Sequence, residues 1–166
     1  GSEAQSVHRD YHLGFQSQDT VGRFPAHAQT MSQYLTLQGA VAHGDMPEES
    51  GPTLLLPNSH HYETGYLAYG RPEFQAYFEE HRAQLPLNKG DMIFFSPAVF
   101  HGAGANWSKE DRIANLLQIS SAFGRAMETI NNRVMIEALY PVVLARVAAG
   151  SITAREVSDM IAAAAD

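Results

Sequence analysis

From Val7 to Phe15 the side chains alternate with a period of two. His8, Asp10, His12 and Gly14 fall on one face; Val7, Arg9, Tyr11, Leu13 and Phe15 fall on the other. Such alternation predicts a strand. One face carries polar, ligand-type residues and the other is mostly apolar, so both need covering. Residues 16–29, rich in Gly, Pro, Ser and His, read as loop. Strands are expected at 31–42 and at 53–56, the second stopped by Pro57. Residues 72–80 predict a short helix, with Pro72 at its first position and Phe74, Tyr77 and Phe78 as its apolar side. Further strands are predicted at 92–95, 99–102 and 112–121, with a turn at Ser96-Pro97. Beyond Gly124 the period lengthens. Met127, Ile130, Val134 and Ala138 mark a helical stripe, Pro141 interrupts it, Gly150 stops the next stretch, and Thr153 with Glu156 makes a capping box for a last helix. Short strands divided by Gly/Pro turns and followed by helices predict a mainly β fold. The expected architecture is an antiparallel sandwich or barrel over 1–121 with a helical appendage over 122–166.

Composition narrows the function. The 166 residues suit one domain with a real core, and no apolar run approaches the roughly 20 residues of a membrane span. Eleven Lys and Arg against 18 Asp and Glu leave a net charge of −7 with no basic cluster, a poor match to nucleic acid or anionic membranes. Without cysteine there are no disulfides, thiolate metal sites or cysteine nucleophiles, which suits a reducing cytoplasm. Eight histidines are the unusual count.

His8-Arg9-Asp10 places an imidazole and a carboxylate on one face of a strand, so the pair can chelate one ion if a third ligand arrives from elsewhere. Two histidines and one carboxylate form the facial triad of non-haem Fe(II) oxygenases, which leaves open positions on the metal. The third candidate is His101, in an apolar strand that runs into a small-residue turn. A hairpin centred on Asn106-Trp107 would set His101 directly across from Arg112, an imidazole ligand beside a guanidinium able to grip a carboxylate. His12 shares the inward face; it either faces substrate or is a buried, hydrogen-bonded histidine. His60-His61 follows a strand end and reads as a loop pair, and His27, His43 and His81 as ordinary polar positions. The aromatics at Tyr62, Tyr66, Tyr69 and 74–78 suit either a substrate lid or core packing.

Four stretches carry a resemblance: Val7-His8-Arg9-Asp10-Tyr11-His12; the run from Glu49 through Gly51-Pro52 to Pro57-Asn58-Ser59-His60; Lys89-Gly90-Asp91 through Phe95; and His101 through Asn106 to Arg112. In order and spacing they resemble the phytanoyl-CoA dioxygenase family of Fe(II)/2-oxoglutarate-dependent oxygenases. The resemblance implies a double-stranded β-helix (a cupin-like jelly roll) with flanking helices. It implies iron held by His8, Asp10 and His101, and Arg112 on the distal carboxylate of 2-oxoglutarate. With O2 and these cofactors, such an enzyme hydroxylates a small or medium organic substrate and releases succinate and CO2. Asp10 matches the hydroxylases, not the related halogenases, which carry a small residue there. Asn58 stands where the family usually has Gly. The motif lies so near the start of the chain that the N-terminal third of the family fold is expected to be absent. A cupin-type metal oxygenase without 2-oxoglutarate and a catalytically silent jelly-roll binding module are the competing expectations; the oligomeric state is open.

Overall fold

The computed structural model describes residues 1–10, 17–63, 66–124 and 130–165. By its internal contacts the chain divides into two units, Gly1–Glu128 and Thr129–Asp166.

In the first unit, three short helical turns, α1 (Gln18–Val21), α2 (Ala26–Thr30) and α3 (Ser32–Leu35), precede strand β1 (Thr36–Ala42). The expected loop at 16–29 therefore contains helical turns, and the strand expected at 31–42 starts five residues late. The amides of Tyr34 and Leu35 bond back to the Met31 carbonyl, which holds this stretch in a turn until β-branched Thr36. The remaining elements are β2 (Thr53–Leu55), α4 (Pro72–His81), β3 (Ala83–Gln84), β4 (Met92–Phe95), β5 (His101–Ala103) and β6 (Ala114–Ser120). They form two antiparallel sheets, ordered β4-β1-β6 and β3-β2-β5.

In the first sheet, β1 turns Thr36, Gln38, Ala40 and Ala42 to a buried face. Gln38 lies opposite Phe95 on one side and Gln118 on the other. The reverse face carries exposed Leu37, Met92, Phe94 and Ile119. Gly39 is needed where the Phe94 ring crosses the strand: a Cβ there would lie 2.6 Å from that ring and 2.8 Å from the Ile93 carbonyl. The second sheet packs over a cluster of Val7, Leu54, Leu56, Ala68, Phe78 and Phe100. Tyr66 and Phe78, from the aromatic segment, are both buried.

The period-two segment at 7–15 is realised, over its described part, as one antiparallel bridge, His8 to His101, not as a longer strand. Leu13 and Phe15, with the rest of its far end, lie outside the described residues. The predicted hairpin between β5 and β6 does not form. His101 pairs with Leu55 of β2, and β6 pairs along its length with β1 in the other sheet. Residues 104–113 thus cross between sheets, and Arg112 sits two residues ahead of β6. Symmetric arithmetic about Asn106-Trp107 cannot see such a crossing, because a small-residue linker serves a hairpin and an inter-sheet connection equally well.

The second unit holds α5 (Asn132–Ala148) and α6 (Ala154–Ala165). The Asn131 side chain caps α5 by accepting from the Val134 amide, 3.1 Å. Pro141 does not break this helix, contrary to expectation. Proline forfeits one amide donor, and seven further residues continue the helix to Ala148. No helix is long and apolar enough to cross a membrane among the described residues.

Candidate metal centre

The His8 and His101 amides exchange hydrogen bonds with each other's carbonyls at 2.9 and 3.0 Å. Residues so paired send their side chains to the same side, and the two rings lie 4.4 Å apart. Asp10, two residues past His8, returns to that side and is anchored by its amide on the Pro97 carbonyl, 3.2 Å. His8 Nε2 lies 3.7 Å from Asp10 Oδ1, and His101 Nε2 lies 3.6 Å from Asp10 Oδ2. One ligand atom from each of the three falls within 4.8 Å of the others, and this is the one such group of three or more among the described residues.

Both imidazoles are held in the same way. His8 Nδ1 meets the Ser6 carbonyl at 2.8 Å, and His101 Nδ1 meets the Val99 carbonyl at 2.8 Å. A ring that donates through Nδ1 is fixed in the tautomer whose Nε2 lone pair faces the centre, the form a metal needs. Burial, reinforced by the neighbouring His101, lowers the His8 pKa and favours its neutral form. Burial alone would raise Asp10. His101, by hydrogen bond and by charge, the Gln38 hydrogen bond and His8 outweigh it, and the Asp10 carboxyl titrates below its ordinary value. One carboxylate and two imidazoles, with gaps suited to an ion about 2.0–2.2 Å from each donor, fit a divalent transition metal.

The two sheets meet here. Gln38 of the first sheet donates its Nε2 to Asp10 Oδ2, leaving its buried Oε1 without a partner. Phe95, opposite Gln38, sets its ring 4.8 Å from the His101 ring. Phe95 closes one of the stretches that carry the family resemblance, whereas Gln38 did not stand out in the sequence. The available signal was a single glutamine on the buried side of a strand otherwise lined with small residues.

Arg9, between two ligands, points the other way and is 4 % exposed. It donates to the carbonyls of Ala98 (2.6 Å), Ser59 (2.6 Å), Tyr62 (2.9 Å) and Tyr66 (3.4 Å). Its guanidinium carbon sits 4.4 Å from the Phe100 ring centre and 4.9 Å from that of Tyr66. Burial draws its pKa down to about 10.

Arg112 is half-buried and donates to the carbonyls of Ser50 (3.2 Å) and Gly104 (3.1 Å). Among the described residues no carboxylate pairs with it, and burial lowers its pKa. Gly51, in the turn beneath, has φ 73°, and a Cβ there would strike the carbonyls of Gly104 and Ala105. His12 lies outside the described residues. The rings of His60 and His61 lie 4.0 Å apart, tilted by 38°, in a single 3-10 turn outside the metal-type cluster.

The family model for phytanoyl-CoA dioxygenase (PhyH) matches residues 1–114. Among curated proteins none matches the sequence. Similar solved structures include the epimerase SnoN in complex with Fe3+, alpha ketoglutarate and nogalamycin RO, at 25% identity and TM-score 0.54, covering 76% of this chain and 46% of that one. The alpha ketoglutarate dependent carbocyclase SnoK of nogalamycin biosynthesis aligns at 20% identity and TM-score 0.54, covering 81% and 51%. EctD from S. alaskensis, in its apoform, aligns at 16% and 0.54, covering 75% and 41%. The chain thus spans about half the length of these proteins or less, and the last two likenesses speak to the fold alone.

Proposed function

Because the chain belongs to the phytanoyl-CoA dioxygenase family, we propose that it is the metal-bearing part of an Fe(II)- and 2-oxoglutarate-dependent dioxygenase. Its reaction would hydroxylate a small or medium organic substrate, with succinate and CO2 as co-products. The observation that carries this reading is the convergence of His8, Asp10 and His101, with both imidazoles oriented through Nδ1. Iron held by these three residues would supply activation of O2 coupled to decarboxylation of the 2-oxo acid. The chain's own part is to keep Asp10 ionised, to orient both imidazoles through their Nδ1 contacts, and to shield the centre between two sheets.

We assign Arg112 to the distal carboxylate of 2-oxoglutarate. Among the described residues its guanidinium bonds to neutral carbonyls and pairs with no acid, so a bidentate pair with a bound carboxylate is the stronger use of its donors. SnoN, solved with Fe3+ and alpha ketoglutarate, supports this cofactor set. In this reading the two sheets of the first unit belong to a double-stranded β-helix within a single oxygenase domain over 1–166, with the helices as its appendage. The absence of cysteine suits a cytoplasmic enzyme.

The test is succinate formation from 2-oxoglutarate with Fe(II) in air. Wild type forms succinate, and Asp10→Ala and His101→Ala fall to background. Arg112→Ala raises the KM for 2-oxoglutarate about 10–100-fold, as the loss of charge-assisted bonds worth about 1.5–3 kcal/mol implies. Undiminished turnover in Asp10→Ala would contradict the assignment.

A further inference from the structure

Arg9 is an expensive residue where it stands. Its neighbour on the same side, Val7, is buried in an apolar cluster, and a long apolar side chain would fill that space without desolvating a cation. No carboxylate pairs with Arg9 among the described residues; its partners are carbonyls from separate stretches of chain. Ser59, Tyr62 and Tyr66 belong to the segment after Pro57-Asn58. Ala98 lies three residues before His101, and Arg9 itself lies between His8 and Asp10. One rigid guanidinium therefore spans both ligand-bearing segments. Tyr66 closes the arrangement, with its ring against the guanidinium and its hydroxyl donating to the Asp10 carbonyl at 2.5 Å.

We propose that Arg9, clamped by Tyr66, is a positioning residue of the metal centre: it fixes the His8–Asp10 segment against the His101 segment from behind, and so sets the spacing of the three ligands. The inference rests on the reading of His8, Asp10 and His101 as metal ligands. The backbone alone contributes three bonds between these segments, His8 to His101 twice and Asp10 to Pro97. All three join main chain to main chain, whereas Arg9 and Tyr66 add side-chain bonds that bring in a third stretch of chain, residues 59–66. Lysine, with a point charge on a flexible stem, reaches some of these carbonyls but cannot span them in one plane.

The experiment is titration of the metal-free 166-residue chain with Co(II), followed by the visible spectrum of the bound ion, beside circular dichroism and thermal melts. Wild type binds one Co(II). Arg9→Met and Tyr66→Phe, folded by their dichroism, bind it about 10–100-fold more weakly and with an altered spectrum, the usual loss when support behind a ligand is removed. Arg9→Lys recovers part of the affinity. A folded Arg9→Met with wild-type affinity and spectrum overturns the proposal. If Arg9→Met does not fold, Tyr66→Phe decides by the same two outcomes. Absence of Co(II) binding by the wild type defeats the metal-ligand reading instead, so the two failures are separable.

Discussion

Asp10 is buried, yet its carboxyl titrates below its ordinary value, because His101, the Gln38 hydrogen bond and His8 together outweigh burial. The cluster of His8, Asp10 and His101 draws on residues that were readable from sequence: a His-x-Asp pair and a distant histidine imply chemistry wherever the chain brings them together. Their supports were not. Which glutamine meets Asp10, or whose carbonyls receive Arg9, depends on tertiary packing that no periodicity encodes. Asn58 is a residue whose backbone requirement was visible in advance, since a turn residue stands where the family usually has Gly. It takes φ 64°, in the left-handed region that Gly and Asn enter with least strain. The following Ser59 accepts from Arg9 at its carbonyl and from the Phe100 amide at its hydroxyl oxygen, so strain at 58 reaches the site. In chemical denaturation Asn58→Gly is expected to leave stability within a few tenths of a kcal/mol, while Asn58→Val costs about 1–2 kcal/mol. Equal stability of the two variants would show that the left-handed turn is not what holds this loop.

Among the elements, strands with clear alternation or firm stops were legible. β4 occupies the residues expected, and β2 ends one residue early. Errors fell where short-range pattern competes with chain topology. The turn at α3 interrupts an apolar run that reads as strand, and the inter-sheet crossing at 104–113 imitates a hairpin. Capping was the most faithful local signal. The Thr153 amide donates to Glu156 Oε2 at 2.7 Å, and the Glu156 amide donates to Thr153 Oγ1 at 3.2 Å, a reciprocal box ahead of α6. Thr153→Ala should cost the helical unit about 1 kcal/mol, seen as lost far-ultraviolet dichroism and an earlier melt. The bonds from the Thr153 amide and hydroxyl lower the Glu156 pKa. A folded value below the unfolded one means that the box stabilises α6 above the ordinary carboxylate range and loses that effect as pH falls through the folded value. Acidification should therefore shrink the difference between wild type and Thr153→Ala to the part set by the Thr153 Oγ1 cap on the Glu156 amide, which does not titrate; a difference unchanged in acid would place the effect elsewhere.

At the scale of the whole molecule, function depends on two sheets meeting. His8 and Asp10 lie at the edge of the second sheet, His101 in it, and Gln38 and Phe95 close the centre from the first. The first sheet also presents an exposed apolar reverse face, with Leu37 directly opposite Ile119. Composition indicated a globular chain, and the strand count a β architecture; the pairing of sheets around the His8, Asp10 and His101 cluster required the three-dimensional register. Fe(II) and 2-oxoglutarate should bind this centre together, and anaerobic titration with both tests that most directly. The account predicts a visible charge-transfer band that needs both components, disappears in Asp10→Ala and His101→Ala, and demands about 10–100-fold more 2-oxoglutarate in Arg112→Ala. A folded chain that gives no band, or a band of wild-type strength in folded Asp10→Ala and His101→Ala, would contradict it.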